Sequence, residues 1–151
     1  MGSFERRLAA LVAASTLAAL AAPGARAEGD EATDEVPIEV TVLRVSDEPG
    51  EVDPRVEHLD QLLRGEISYQ SLRVLDTHAR RLPVNEIWTL ELPTEQTLRL
   101  RPLEVDREGT LLSLDVEDGL QGDFRVRPGR PLIVGGSRYG DGRLVVVVDT
   151  R

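Results

Sequence analysis

The chain has 151 residues, with 27 acidic and 18 basic side chains and a formal net charge of −9. This length allows one domain, and a hydrophobic content of 40% is enough for a folded core. Cysteine and lysine are both absent. Their absence excludes disulfides, thiolate metal sites, cysteine nucleophiles, lysine Schiff bases and lysine-dependent phosphate loops.

The first 27 residues have the features of a secretory signal peptide. Arg6 and Arg7 precede an apolar run over residues 8–22, and the motif Ala-Arg-Ala follows at 25–27. The run is shorter than the ~20 residues that span a bilayer. We therefore predict export with cleavage near Ala27, a periplasmic or secreted location, and no stable membrane insertion after cleavage.

The chain that remains after cleavage is strongly acidic. It carries 15 arginines and 26 acidic residues, a formal charge of −11, and such a charge repels the phosphates of nucleic acids. We therefore predict no nucleic-acid partner. Residues 28–35 have almost no apolar content and are predicted to form a disordered acidic segment. Residues 36–151 are predicted to form a single β-rich α+β domain.

A strand and a helix are predicted at the start of this domain. Ile38, Val40 and Val42 alternate with polar residues, which is typical of a half-buried strand. Asp53 and Pro54 suit the cap and first position of a helix. The helix should end near Gly65, and its apolar stripe consists of Val56, Leu59, Leu62 and Leu63.

After this helix the chain is predicted to consist of short strands separated by turns. The extended segments are 67–76, 88–92, 98–103, 112–116, 124–126, 132–134 and 144–148, with a glycine-rich connection, GGSRYGDG, before the last. The last segment is apolar on both faces, which favours a central strand. We therefore predict an α+β fold. Its mainly antiparallel sheet of about seven or eight strands is sandwich-like or barrel-like, with one amphipathic helix near the start.

Three segments, SYQSLRVLD, ELPTEQTLRLRPLEV and PLIVGGSRYGDGRLVVVV, carry a resemblance to known proteins. Their layout resembles small, exported, uncharacterised proteins of Gram-negative bacterial envelopes, over about residues 36–150 of this chain. The resemblance implies export and an α+β fold, and it supplies no catalytic residues. PLIVGG is also faintly similar to sheet segments of outer-membrane secretins, but we prefer to interpret it as a generic hairpin turn.

One group of residues could bind an anion in this otherwise acidic chain. This arginine–histidine cluster consists of Arg73, His78, Arg80 and Arg81. Alternatively, the arginines neutralise neighbouring carboxylates. The histidines of the chain, His58 and His78, lack the spacing of metal ligands. We therefore predict no metal and no cofactor.

Two further motifs are better explained without chemistry. Ser137 nearly matches the nucleophile elbow of serine hydrolases, but Tyr139 takes the place of the second glycine and a strand follows, so we interpret the segment as a hairpin. The acidic residues between 47 and 53 lack the spacing of a calcium loop and are interpreted as solvated. We predict no catalytic residue, and the protein is not predicted to be an enzyme.

These exclusions favour a non-catalytic exported envelope protein. We expect a protein-interaction or structural accessory module whose partner is another envelope protein, bound by strand addition at an open sheet edge. The segment 67–76, with Tyr69 and Arg73 pointing outward, is the predicted edge. The alternative is a periplasmic protein that binds a small ligand or an anion through the arginine–histidine cluster.

Overall fold

The computed structural model describes residues 34–151. The predicted signal peptide lies outside the described residues, as does most of the predicted acidic segment. The elements in chain order are β1 (Glu35–Ser46), a 3-10 turn (Pro54–Val56), α1 (Glu57–Glu66), β2 (Ser71–Pro83), β3 (Trp88–Glu91), β4 (Thr97–Asp106), β5 (Gly109–Val116), β6 (Gln121–Val126), β7 (Leu132–Tyr139) and β8 (Gly142–Thr150). Glu35 therefore belongs to a strand, at the end of the segment predicted to be disordered.

The strands form two four-stranded sheets in which all pairings are antiparallel. Sheet A has the order β2-β1-β8-β7, and sheet B has the order β3-β4-β5-β6. The chain begins in sheet A, crosses to sheet B, runs through it as a meander, and returns to sheet A for the last hairpin. The predicted number of strands and their antiparallel direction are confirmed, and neither sheet closes into a barrel.

A hydrophobic core joins the two sheets. Because successive side chains of a strand point to opposite faces, Ile38 and Val40 of β1 lie on one face, where they share a cluster with Leu100 and Leu112 of sheet B. All four side chains are at most 2% exposed. Trp88 of β3 belongs to the same cluster.

The opposite face of sheet A packs against α1. Leu43 of β1 and Leu63 of α1 are fully buried there, together with Val145 and Val147 of β8. Strand β8 contributes its even-numbered valines to the core between the sheets, so it is buried on both faces. Its position between β1 and β7 confirms the predicted central strand.

The helical segment opens with the 3-10 turn, and α1 follows at Glu57. The carboxylate of Asp53 accepts a hydrogen bond from the backbone N–H of Arg55 at 3.0 Å, and Pro54 occupies the first position. The helix ends at Glu66. Of the predicted stripe, Leu62 is the exception, because its side chain is 37% exposed. No helix within residues 34–151 is long and apolar enough to cross a bilayer.

The predicted strand 67–76 is wrong at both ends. Strand β2 begins at Ser71 and continues to Pro83. Tyr69 does not point outward as predicted: it is 4% exposed, and its hydroxyl donates to the carboxylate of Asp60 at 2.7 Å. The guanidinium of Arg64 lies 4.8 Å from the centre of the Tyr69 ring. These contacts of Tyr69 hold the chain against α1 just before β2 begins.

The predicted glycine-rich connection is shorter than expected. β7 runs to Tyr139 and β8 starts at Gly142, so only Gly140 and Asp141 connect them. Gly142 is required by packing, because a Cβ atom there would lie 2.2 Å from the carbonyl oxygen of Val45. Ser137 lies within β7, which confirms the hairpin interpretation of this segment.

Candidate functional site at the edge of sheet A

All four residues of the arginine–histidine cluster lie on β2, an outer strand of sheet A. This strand has 13 residues. The other outer strands are shorter: β7 has 8 residues, β6 has 6 and β3 has 4. β2 is therefore the longest sheet edge in the described part of the chain, and an edge of this length can template a further strand.

The register shows which backbone groups of β2 point outward. The carbonyl of Pro37 in β1 accepts a hydrogen bond from the N–H of Arg151, on the side away from β2. Opposed residues in antiparallel sheets alternate between bonded and non-bonded pairs. Arg81 lies opposite Pro37, and the two form a non-bonded pair because the Pro37 carbonyl points away from β2. The N–H and C=O groups of Arg81 therefore point outward, away from β1. By the same alternation, Ala79 and Thr77 do so as well.

The first part of this edge is covered by the chain itself. Leu72 donates its N–H to the carbonyl of Glu51 at 3.2 Å and accepts the N–H of Asp53 at 2.9 Å. Val74 donates its N–H to the carboxylate of Asp53 at 3.4 Å. Hydrogen bonds from the side chain and then the backbone of Arg55 hold the pKa of Asp53 well below its usual range. One ionised carboxylate therefore caps both the helical segment and the strand edge.

An irregularity separates this region from the rest of β2. Leu43 lies opposite Val74 and Val42 lies opposite Asp76, so Leu75 has no partner in β1 and forms a bulge. The side chain of Leu75 packs against the core between the sheets. We call residues 71–74 the capped half of β2 and residues 76–83 its open half.

The outward backbone of the open half is exposed. Thr77, Ala79 and Arg81 are all exposed to solvent, and no backbone group within residues 34–151 pairs with the outward groups of Ala79 and Arg81. The N–H of Thr77 donates to the adjacent carboxylate of Asp76 at 2.8 Å. This stretch has the properties of an unprotected strand edge.

The structure brings only part of the predicted cluster together. His78 and Arg80 lie opposite Val40 and Ile38, so their side chains share the face that looks toward sheet B. His78 Nε2 lies 3.0 Å from Asp76 Oδ2. Arg80 forms an ion pair with Glu86 at 3.0 Å, as the carboxylate-neutralising alternative requires.

Arg81 and Arg73 are separated from that pair. Arg81 points to the face of sheet A on which α1 packs, since it alternates with Arg80, and it forms no ion pair with any residue from 34 to 151. Arg73 lies on the other side of the bulge. It lines a surface cavity of about 490 Å³ and lies directly opposite Arg44 of β1.

This cavity contains charged residues that the sequence analysis did not single out as a group. Arg44 forms an ion pair with Asp141 of the last hairpin turn, and Glu48 lines the same cavity. The pKa of Asp141 is lowered, first by a hydrogen bond from its own backbone N–H and also by the charge of Arg44 and the hydrogen bond that Arg44 donates. Arg44 and Asp141 are 97 positions apart, so no local pattern in the sequence could have paired them.

Neither the side-chain groupings nor the comparisons assign a chemistry to the chain. Within the part of the chain that the structure describes, no three histidine or acidic side chains group closely enough to hold a metal ion. Comparisons with protein-family models, curated protein sequences and solved structures find no match to this chain. The open half of β2 is the most distinctive feature of the surface formed by residues 34–151.

Proposed function

We propose that this chain is a non-catalytic exported envelope protein that binds another protein by strand addition at the open half of β2. In this proposal the two sheets form a sandwich that serves as a rigid support for the edge. The observation that carries the proposal is that Ala79 and Arg81 are exposed and that their outward backbone groups have no backbone partner among residues 34–151. Export rests on the features of residues 1–27.

The physical basis is the exchange of water for a partner strand. Outward N–H and C=O groups are hydrogen-bonded to water in the free protein, and a partner strand replaces that water with a regular ladder of hydrogen bonds. Each such bond stabilises a complex by about 0.5–1.5 kcal/mol net, so several bonds and side-chain contacts are needed. The alternating side chains of Asp76, His78 and Arg80 supply the contacts that select among partners.

The other edges of the sheets are less suited to this role. The pairing of β7 with β8 is irregular between Gly135 and Arg138, and β6 and β3 are only 6 and 4 residues long. The capped half of β2 already has backbone partners in residues 51–53. The open half is long, regular and exposed, which supports its choice as the binding edge.

A proline at position 79 tests the proposal. The N–H of Ala79 points outward and makes no bond to β1, so Ala79→Pro blocks an added strand and removes no bond of the sheet itself. Ala79→Val keeps the N–H and is the matched control. A photo-crosslinking residue at position 81, in the exported protein in intact cells, should capture one dominant envelope protein in the wild type and in Ala79→Val.

That capture should be lost in Ala79→Pro while the melting temperature is unchanged. Equal capture by Ala79→Pro and by the wild type would contradict strand addition at this edge. A crosslinker at position 99, on sheet B, reports contacts that do not depend on the edge. Capture of the same protein only from position 99 would place its binding surface elsewhere.

One observation favours a second candidate, the binding of a small anion. Arg81 and Arg151 line a cavity of about 260 Å³ beside Pro37 and Glu39, and Arg81 has no ion-pair partner within residues 34–151. A ligand bound to the native state raises the melting temperature. Titration with phosphate should then stabilise the wild type but not Arg81→Gln, and equal melting curves at all phosphate concentrations would exclude this candidate.

A further inference from the structure

We propose that residues 76–80, in the open half of β2, pair with the same residues of a second copy of this chain. The two strands run antiparallel about a two-fold axis and join two copies of sheet A into one continuous sheet. This inference rests on the proposed strand addition and names the partner strand. The charges of β2 support it, because in one register the charged side chains of one copy lie opposite side chains of the other sign in the second copy.

The backbone restricts the registers that are possible. A bonded pair requires an outward-facing residue on each strand, and the outward-facing residues of the open half are Thr77, Ala79 and Arg81. A symmetric pairing can be centred on residue 78, 79 or 80 and still match outward groups with outward groups. In the register centred on His78, Thr77 of each copy lies opposite Ala79 of the other copy.

The side chains distinguish these registers. Centring on His78 places Asp76 of each copy directly opposite Arg80 of the other, so two cross-strand ion pairs flank the axis. Centring on Ala79 places His78 opposite Arg80, and centring on Arg80 places two arginines opposite each other. Directly opposed unlike charges stabilise a sheet and like charges destabilise it. The register centred on His78 is therefore favoured.

The groups that must rearrange are exposed and held only by local contacts. The side chains of Asp76, Arg80 and Glu86 are 56%, 50% and 43% exposed. Arg80 can therefore leave Glu86 and pair with Asp76 of the second copy, because Glu86 remains in contact with water and is not left as a buried, unpaired charge. The N–H of Thr77, now bonded to the Asp76 carboxylate, becomes available for the ladder when that carboxylate turns to Arg80 of the second copy. Ala79 is small and offers no steric obstacle at the pairing face.

The test reverses the two charges separately. In Asp76→Arg, an arginine faces Arg80 of the other copy, and in Arg80→Asp, an aspartate faces Asp76. Each variant alone should be monomeric by analytical ultracentrifugation, whereas the wild type shows a concentration-dependent dimer. An equimolar mixture of the two variants should restore dimers, since every opposed pair then carries unlike charges. The double variant should dimerise by itself.

Control measurements keep the outcomes separate. Circular dichroism and melting curves establish that each variant is folded, and Ala79→Pro should also abolish the dimer. A wild type that stays monomeric at its highest soluble concentration overturns the inference, as does a mixture that fails to pair. Loss of a captured envelope protein in Ala79→Pro, with a monomeric wild type, would support strand addition to a different partner and overturn only self-pairing. Dimers that persist in both single variants would place the interface elsewhere.

Discussion

The two halves of β2 share one strand and one neighbour, β1, yet their outer edges differ. In the capped half, residues 51–53 occupy the edge and Asp53 accepts the N–H of Val74. In the open half, Ala79 and Arg81 expose their outward backbone. The difference arises because the connection from β1 to β2 passes along only one end of the strand. An edge strand can thus be protected locally, and the unprotected part is where a partner has room to bind.

The largest expected effect comes from the packing beneath the capped half. Leu72 is 1% exposed and belongs to the cluster between sheet A and α1. Leu72→Ala should lower the free energy of unfolding by about 2–5 kcal/mol, because it removes buried contacts and leaves a cavity. Urea denaturation measures this change. A loss below about 1 kcal/mol would show that the capped half contributes little to the fold.

Proline substitutions compare the two halves directly. Val74 is buried and donates its N–H to a carboxylate, so Val74→Pro should destabilise the protein by about 1–3 kcal/mol. Ala79→Pro removes no bond within the sheet, and its effect on stability should stay within about 0.5 kcal/mol. Urea denaturation of the two variants side by side is the measurement. Equal losses would mean that the outer edge is uniform along β2.

A smaller effect is expected at the residue that leads into the capped half. The hydroxyl of Tyr69 donates to Asp60 at 2.7 Å, and burial, followed by this hydrogen bond, raises the pKa of Tyr69. Tyr69→Phe should cost about 0.5–1.5 kcal/mol, the range for one hydrogen bond. It should also raise the pKa of Asp60, which hydrogen bonds from Arg64 and Tyr69 hold below its usual range. Carboxylate titration by NMR would detect that rise, and an unchanged titration would argue against the contact.

The last comparison concerns how the stability depends on pH. The pKa of Asp53 is lower in the folded chain than its unfolded value of about 3.9, so the unfolded state binds more protons between the two values. The stabilisation is therefore complete above pH ~4 and is lost as the pH falls through the folded pKa. Asp53→Ala should flatten this acid loss and speed amide exchange at Val74, but not at Arg80. Identical acid unfolding of the variant and the wild type would contradict the role of Asp53.

Local patterns predicted much of the fold. Asp53 and Pro54 indicate a helix start because capping depends on neighbouring residues, and the continuous valines of β8 indicate burial on both faces. The pattern misled at 67–76, where Tyr69 looks like a strand residue but is held by Asp60 and Arg64 of the preceding helix. The candidate site was predicted in part. All four residues of the arginine–histidine cluster lie on one edge strand, but the bulge at Leu75 and the alternation of side chains between the two faces of β2 separate them.

The order of residues along the chain was enough to indicate an antiparallel β-rich domain with one helix, because hydrophobic periodicity and capping act over a few residues. The tertiary structure alone decided which edge of sheet A is covered. That outcome depends on residues 51–53 meeting β2, on the bulge at Leu75, and on which backbone groups β1 already occupies. These are relations between segments distant in sequence, and each backbone group carries the same donor and acceptor whatever its side chain. No sequence pattern therefore reveals that the backbone of the open half of β2 is unpaired, although its charged side chains can be read from the sequence.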